Sequence, residues 1–110
     1  MKTKSPAALD LTPLSQKDLL CTSALTLADI ERIFTTARAL KQGREVHTEV
    51  LRHKRLAMIF EKDSLRTRFT FDIGMQDLGG SAVFMDHRDA RLGSRESVKD
   101  VAKNLERWVH

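Results

Sequence analysis

The residues best suited to chemistry lie together in one short segment, Phe60–Phe71. Within it, Ser64, Arg66 and Thr67 fall between a polar stretch and an apolar run. Hydroxyl groups and guanidinium groups are typical ligands for phosphate in proteins, and Arg adds a planar, bidentate fork. The segment therefore predicts a compact site for a small, phosphate-like anion.

The elements on either side of this segment support the same interpretation. The apolar run 55–60 predicts a strand buried on both faces, as in a parallel sheet. A well-buried helix is predicted from about residue 65 to residue 78, and Gly79-Gly80 closes it. Free backbone N–H groups and the helix dipole attract an anion to such a helix start. Ligands of parallel α/β folds also bind at the carboxyl edge of the sheet.

The same segment also fits an ordinary helix end that is capped, solvated and covered by surface ion pairs. Arg66 and Arg68 in the first turn argue against that interpretation, because positive charge at a helix start opposes the dipole. A bound anion would offset this unfavourable electrostatic energy.

An earlier helix is predicted from Thr26, which caps it together with Asp29, to about Leu40, with Gly43 as terminator. Its apolar residues recur at helical spacing, so we expect an amphipathic cover for a core.

Beyond the segment, residues 81–85 predict a second strand, 87–94 a charged loop, and about 96–109 a last helix whose apolar stripe includes Trp108. Alternating helices and strands predict an α/β fold with a parallel sheet flanked by helices. The last helix has no strand after it, so we expect the chain to stop partway through a domain.

Composition excludes several classes of protein. The chain has 110 residues, of which 41% are hydrophobic and 31% charged, and this favours one soluble domain without a membrane span. The net charge of +4 comes with few aromatics, so a nucleic-acid partner is disfavoured. Residues 1–16 predict a loose N-terminal arm and no secretory signal.

The remaining reactive side chains predict no further chemistry. Cys21 is the single cysteine and fits a cytoplasmic protein; we expect a small, half-buried residue with no neighbour that lowers its thiol pKa. The four histidines and the carboxylates of the charged loop do not have the spacing of a metal site. We therefore expect no metal and no cofactor. The carboxylates considered were Asp86, Asp89 and Glu96, and the histidines were His47, His53, His87 and His110.

The segment FEKDSLRTRFTFDIGMQDLGG resembles the carbamoyl-phosphate signature of the aspartate/ornithine carbamoyltransferases, whose usual core is Ser-Thr-Arg-Thr-Arg. Residues 92–102 resemble the ornithine branch, with Leu-Gly, Glu-Ser and Asp-x-Ala. The Lys-Gly-Glu pattern of the aspartate branch is absent. The resemblance is collinear and covers nearly the whole chain after residue 17.

The resemblance implies a role for each residue of the signature. Ser64, Arg66 and Thr67 would contact the phosphate of carbamoyl phosphate, Thr67 would also reach its carbonyl oxygen, and the backbone N–H of Leu65 would help. Arg68 would hold the loop by internal pairing. Leu65 replaces the usual Thr, so a hydroxyl contact is lost while a backbone contact survives.

Arg91 stands where several relatives carry a Gln that reaches the site of a neighbouring subunit. A contact to that subunit and a solvated arginine remain equally open.

The resemblance further implies attack of L-ornithine on carbamoyl phosphate to give citrulline and phosphate, an arginine-biosynthetic or urea-cycle type step, in a homotrimer. Residues 17–110 would be the first part of the carbamoyl-phosphate-binding domain, without the ornithine-binding domain. We expect no useful turnover from this chain alone. Four alternatives stay open: an acylated ornithine as acceptor, a non-catalytic phosphate-binding remnant, a protein that docks on a full-length carbamoyltransferase, and a small nucleic-acid binder.

Overall fold

The computed structural model describes residues 8–86, 88 and 91–110, and in this part the predicted alternation of helices and strands is confirmed. A short 3₁₀ turn spans Thr22–Ala24; the elements are α1 (Leu27–Gln42), β1 (Arg55–Phe60), α2 (Leu65–Asp77), β2 (Ser81–Asp86) and α3 (Val98–Trp108). The predictions for His87, Asp89 and the first seven residues lie outside the described part. The chain divides into two compact units, Met1–His47 and Thr48–His110.

In the first unit, α1 begins with the predicted capping box. The Thr26 hydroxyl accepts the Asp29 backbone N–H at 3.1 Å, and the Asp29 carboxylate accepts the Thr26 N–H at 3.0 Å. Gly43 caps the other end, as predicted, with its N–H bonded to the Ala39 carbonyl at 2.9 Å. Local sequence therefore sets both ends of this helix.

The described part of the predicted arm is not loose, because it is bonded to α1. The Asp29 carboxylate accepts the backbone N–H of Ser15 at 3.0 Å and also its hydroxyl. Arg32 donates to the carbonyl oxygens of Thr12 and Pro13, the latter at 3.1 Å. These bonds join chain segments 14 or more residues apart, which helix patterns do not reveal.

The prediction of a half-buried, unperturbed Cys21 is wrong. The thiol is exposed, and it lies 3.2 Å from the Ser23 hydroxyl. The hydrogen bond with Ser23, and then the one with the backbone of Ala24, lower the pKa of Cys21. Both residues belong to the 3₁₀ turn.

In the second unit, β1 and β2 pair in parallel, as predicted, from Arg55 opposite Ser81 to Phe60 opposite Asp86. Both strands therefore end at the same edge of the sheet, and α2 connects them and packs against β2. Gly79 turns the chain from α2 into β2 with φ +85°, and a Cβ there would lie 2.4 Å from the Thr48 carbonyl oxygen. Glycine is required at this turn, and the predicted helix closure is confirmed.

The predicted burial is wrong in this unit. Met58 is 4% exposed and is the one buried residue of β1, whereas no residue of α2 is buried and Phe69 is 57% exposed. Trp108 of α3, for which no burial was predicted, is 61% exposed. The described sheet has two strands with α2 against β2, which is too little structure to cover both faces.

The last helix starts two residues later than expected, because Ser97 is its N-cap and accepts the Asp100 N–H at 3.1 Å. Across the described residues, no helix combines the length and the apolarity needed to cross a bilayer.

Candidate anion-binding site

The start of α2 is open. Ser64 occupies the N-cap position with φ −137° and ψ 93°, and its side chain makes no capping hydrogen bond. The first bond of the helix joins the Arg68 N–H to the Ser64 carbonyl at 3.1 Å. The N–H groups of Leu65, Arg66 and Thr67 therefore have no carbonyl partner within the helix and point out of its N-terminus.

The charge of this first turn favours an anion. It contains no acidic residue, whereas α1 and α3 carry Asp29 and Asp100 in their first turns. Arg66 and Arg68 add positive charge at the positive end of the helix dipole. An anion at this point would satisfy the free donors and also relieve the charge repulsion.

A cavity of about 190 Å³ opens beside the helix start. It is lined by Asp63, Ser64, Leu65, Arg68, Phe69 and Phe84. The Arg68 guanidinium carbon lies 3.7 Å from the centroid of the Phe84 ring, which is a cation–π contact between α2 and β2. The Phe84 ring is also 5.9 Å from that of Phe60, so the aromatic pair supports the arginine from the sheet.

The structure thus brings some of the predicted site residues together. Ser64, Leu65 and Arg68 line the cavity, whereas Arg66 and Thr67 are exposed in the same turn and do not line it. The internal pairing predicted for Arg68 has a candidate partner in Phe84. The roles of all five residues toward a ligand stay predictions.

Sequence reasoning missed an ion-pair group at the same edge of the sheet. The guanidinium of Arg88 binds the Asp86 carboxylate, with Nη2–Oδ2 at 2.6 Å and Nε–Oδ1 at 3.0 Å. The same Nη2 lies 3.8 Å from Oδ1 of Asp63, the residue before Ser64. The predicted parallel strands place the residues that follow both of them at one edge of the sheet. The sequence does not indicate which of these residues form ion pairs with one another.

Arg91 lies in the loop before α3, with φ +44°. Its side chain is exposed, and its carbonyl oxygen accepts the N–H groups of Ser94 and Arg95 at 3.0 and 3.2 Å. Arg91 therefore has a local backbone role in the loop, and its contact to a neighbouring subunit stays a prediction.

His53 and His110 of the second unit do not line the candidate cavity. His110 uses Nδ1 to accept the Arg55 backbone N–H at 3.2 Å, and His53 has φ +64° before β1. In the described part of the chain, no group of three or more His, Cys, Asp or Glu side chains is suited to hold a metal ion.

A βαβ unit whose connecting helix starts open and basic, at the carboxyl edge of parallel strands, defines an α/β anion-binding domain. Residues 17–110 match the family model described as "Aspartate/ornithine carbamoyltransferase, carbamoyl-P binding domain". The chain belongs to this family.

Known relatives agree with the match. An ornithine carbamoyltransferase of Deinococcus radiodurans is 45% identical over 96 residues, which cover 87% of this chain and 31% of the relative. The crystal structure of ornithine carbamoyltransferase from Thermus thermophilus has a TM-score of 0.76 at 45% identity, covering 86% of this chain and 32% of that one. The Pyrococcus furiosus enzyme has a TM-score of 0.78 at 38% identity, covering 84% and 30%.

The chain therefore spans about a third of the length of the relatives that it matches.

Proposed function

We propose that the open start of α2 binds the phosphate group of carbamoyl phosphate. The N–H groups of Leu65, Arg66 and Thr67, the Ser64 hydroxyl and the Arg66 guanidinium supply the donors. The observation that carries this proposal is the unused capping position of Ser64, which leaves the helix donors to a ligand.

In the complete protein, we propose that this site holds carbamoyl phosphate for transfer to ornithine. The uncharged amine of ornithine attacks the carbonyl carbon; a C–N bond forms, the C–O bond to phosphate breaks, and the proton that the amine loses leaves with the phosphate. Citrulline and phosphate are the products. Donors at the phosphate stabilise the charge of the leaving group, and the Thr67 hydroxyl polarises the carbonyl oxygen. This chemistry uses positioning and charge, without a cofactor.

The relatives named ornithine carbamoyltransferase support ornithine as the acceptor. They do not favour an acylated ornithine, a non-catalytic remnant, a protein that docks on a full-length carbamoyltransferase, or a nucleic-acid binder. The arginine-biosynthetic role, the homotrimer, the contact of Arg91 with a neighbouring subunit and the cytoplasmic location belong to the same proposal. Size measurement of the purified protein tests the trimer directly.

Titration of the chain with carbamoyl phosphate, followed by amide NMR shifts at residues 64–67, tests the site. Replacing Arg66 with Ala should weaken binding about 10- to 100-fold, because a charge-assisted hydrogen bond contributes about 1.5–3 kcal/mol. Arg52→Ala is the matched control, since Arg52 pairs with Glu49 at 3.5 Å before β1, at the opposite end of the sheet. Equal affinities of the Arg66→Ala variant and the unchanged chain would refute the site.

A second titration with inorganic phosphate separates the enzyme domain from a phosphate-binding remnant. Tighter binding of carbamoyl phosphate is expected if the site also recognises the carbonyl group, and equal weak binding would favour the remnant. We expect no citrulline from this chain alone when ornithine is added, and robust turnover would contradict that expectation.

A further inference from the structure

One acidic side chain stands against the proposed anion site. Asp63 immediately precedes Ser64, lines the same cavity, and is exposed. A carboxylate this close to the start of α2 would repel a bound phosphate, and repulsion between like charges is appreciable at short range near a protein surface. A domain that binds a dianion at this point therefore needs a group that reduces the repulsion between the Asp63 carboxylate and the anion.

Arg88 is placed to do this. Its guanidinium is fixed by Asp86, which accepts the Arg88 Nε at 3.0 Å, its Nη2 at 2.6 Å and its backbone N–H at 2.8 Å. The Asp86 side chain is 21% exposed. Asp86 is the last residue of β2 and lies opposite Phe60, the last residue of β1. The anchor is therefore part of the sheet, and it holds Arg88 at the edge where α2 begins.

From this anchor the guanidinium reaches across to the preceding loop. Nη2 of Arg88 lies 3.8 Å from Oδ1 of Asp63, so one arginine joins the loops that follow both parallel strands. The contact places a positive charge beside Asp63 and draws its carboxylate toward β2.

We propose that Arg88 is a positioning residue for the anion site: it screens Asp63 and holds its carboxylate away from the phosphate bound at the start of α2. This inference rests on the proposed function of the site. Arg88 acts through Asp63, so the effect of losing Arg88 depends on the presence of the Asp63 charge.

The test is a double-mutant cycle with inorganic phosphate and carbamoyl phosphate as probes. Arg88→Gln should weaken binding about threefold in low salt, the size expected for an exposed charge, and less as ionic strength rises. Asp63→Asn should tighten binding by a similar factor. In the Asp63→Asn background, Arg88→Gln should have almost no effect. Arg88→Lys, which keeps the charge, should restore most of the affinity.

Arg52→Gln is the control for loss of one positive charge, because it removes an equivalent ion pair at the far end of the sheet. An equal loss of affinity on Arg88→Gln with and without Asp63 would overturn the inference, since it would mean direct contact with the anion or a general structural role. A loss of the same size in Arg52→Gln would overturn it as well.

The two proposals fail in different ways. If the unchanged chain binds phosphate and Arg66→Ala does not, but Arg88→Gln binds normally, the anion site stands and the screening role falls. If neither the unchanged chain nor any variant binds phosphate, the proposed site falls and the screening role falls with it. Amide shifts of Asp63 and Ser64 measured without ligand give a separate check: Arg88→Gln should move them, and unchanged shifts would refute the contact with Asp63.

Discussion

The starts of α1 and α2 differ in whether side chains cap the first backbone N–H groups of the helix. Both helices begin with a hydroxyl residue, Thr26 and Ser64, at the N-cap. At α1 the hydroxyl accepts the Asp29 N–H and the Asp29 carboxylate accepts backbone N–H groups in return. At α2 the hydroxyl accepts nothing from the helix, and Thr67 stands three residues after the cap in place of an aspartate.

The start of α3 confirms that the closed form is the ordinary solution in this chain. Ser97 accepts the Asp100 N–H at 3.1 Å, and Asp100 lies three residues after the cap, as Asp29 does in α1. A closed start stabilises its helix by about 1 kcal/mol. The open start of α2 lacks that stabilisation and leaves its backbone donors uncapped, which supports the proposed anion site.

The largest expected effect comes from converting the open start into a closed one. Thr67→Asp places a carboxylate where Asp29 and Asp100 stand in the other helices. It should weaken phosphate binding about 100-fold, because a hydroxyl contact is lost and a like charge is added. The same change should raise the free energy of unfolding by about 0.5 kcal/mol through capping and the helix dipole.

Phosphate titration and urea unfolding of the Thr67→Asp variant measure both effects. Thr70→Asp is the control: it adds the same charge one turn further along α2 and should cost at most about fivefold in affinity. Unchanged affinity of Thr67→Asp for phosphate would show that the open start is not the binding site.

Alanine at the two serine caps gives the next effect in size. Ser97→Ala should lower the free energy of unfolding by about 1 kcal/mol and leave phosphate affinity unchanged, since it breaks a cap. Ser64→Ala should leave the free energy of unfolding within about 0.3 kcal/mol and weaken phosphate binding about tenfold, because its hydroxyl serves the ligand. Urea unfolding followed by circular dichroism, with titration of each variant, would reveal a reversed pattern if the assignment is wrong.

The smallest effect at neutral pH concerns the closed start of α1. Hydrogen bonds from Ser15, and then from Thr26, hold the pKa of Asp29 well below its ordinary value of 3.8, although the residue is 3% exposed. Because the pKa of Asp29 is lower in the folded state, the ionised carboxylate stabilises the fold at pH values above 3.8. This stabilisation is lost as the pH falls below 3.8 toward the folded-state pKa.

We therefore expect the contact between Ser15 and α1 to persist through neutral pH and to weaken only in strong acid. Amide exchange of Ser15 as a function of pH measures this. Asp29→Asn should remove the acid dependence and expose the Ser15 amide at all pH values. An acid transition that persists in Asp29→Asn would assign it to another group.

The sequence alone predicted the elements of this domain well. Helix starts at Thr26 and near Leu65, the terminators Gly43 and Gly79, and both strands follow from residues within four or five positions of one another. Alternation of helices and strands was enough to predict parallel pairing, and the signature at 64–68 was enough to locate the candidate site.

Tertiary structure alone decided burial and the contacts across the sheet. The hydrophobic pattern of α2 predicted a buried helix, but burial needs covering layers, and the sheet described here has two strands. The contacts of Arg68 with Phe84 and of Arg88 with Asp63 join residues 16 and 25 positions apart in the printed sequence. Such pairs depend on the register of β1 with β2 and on side-chain direction, because sequence spacing fixes neighbours only within one element.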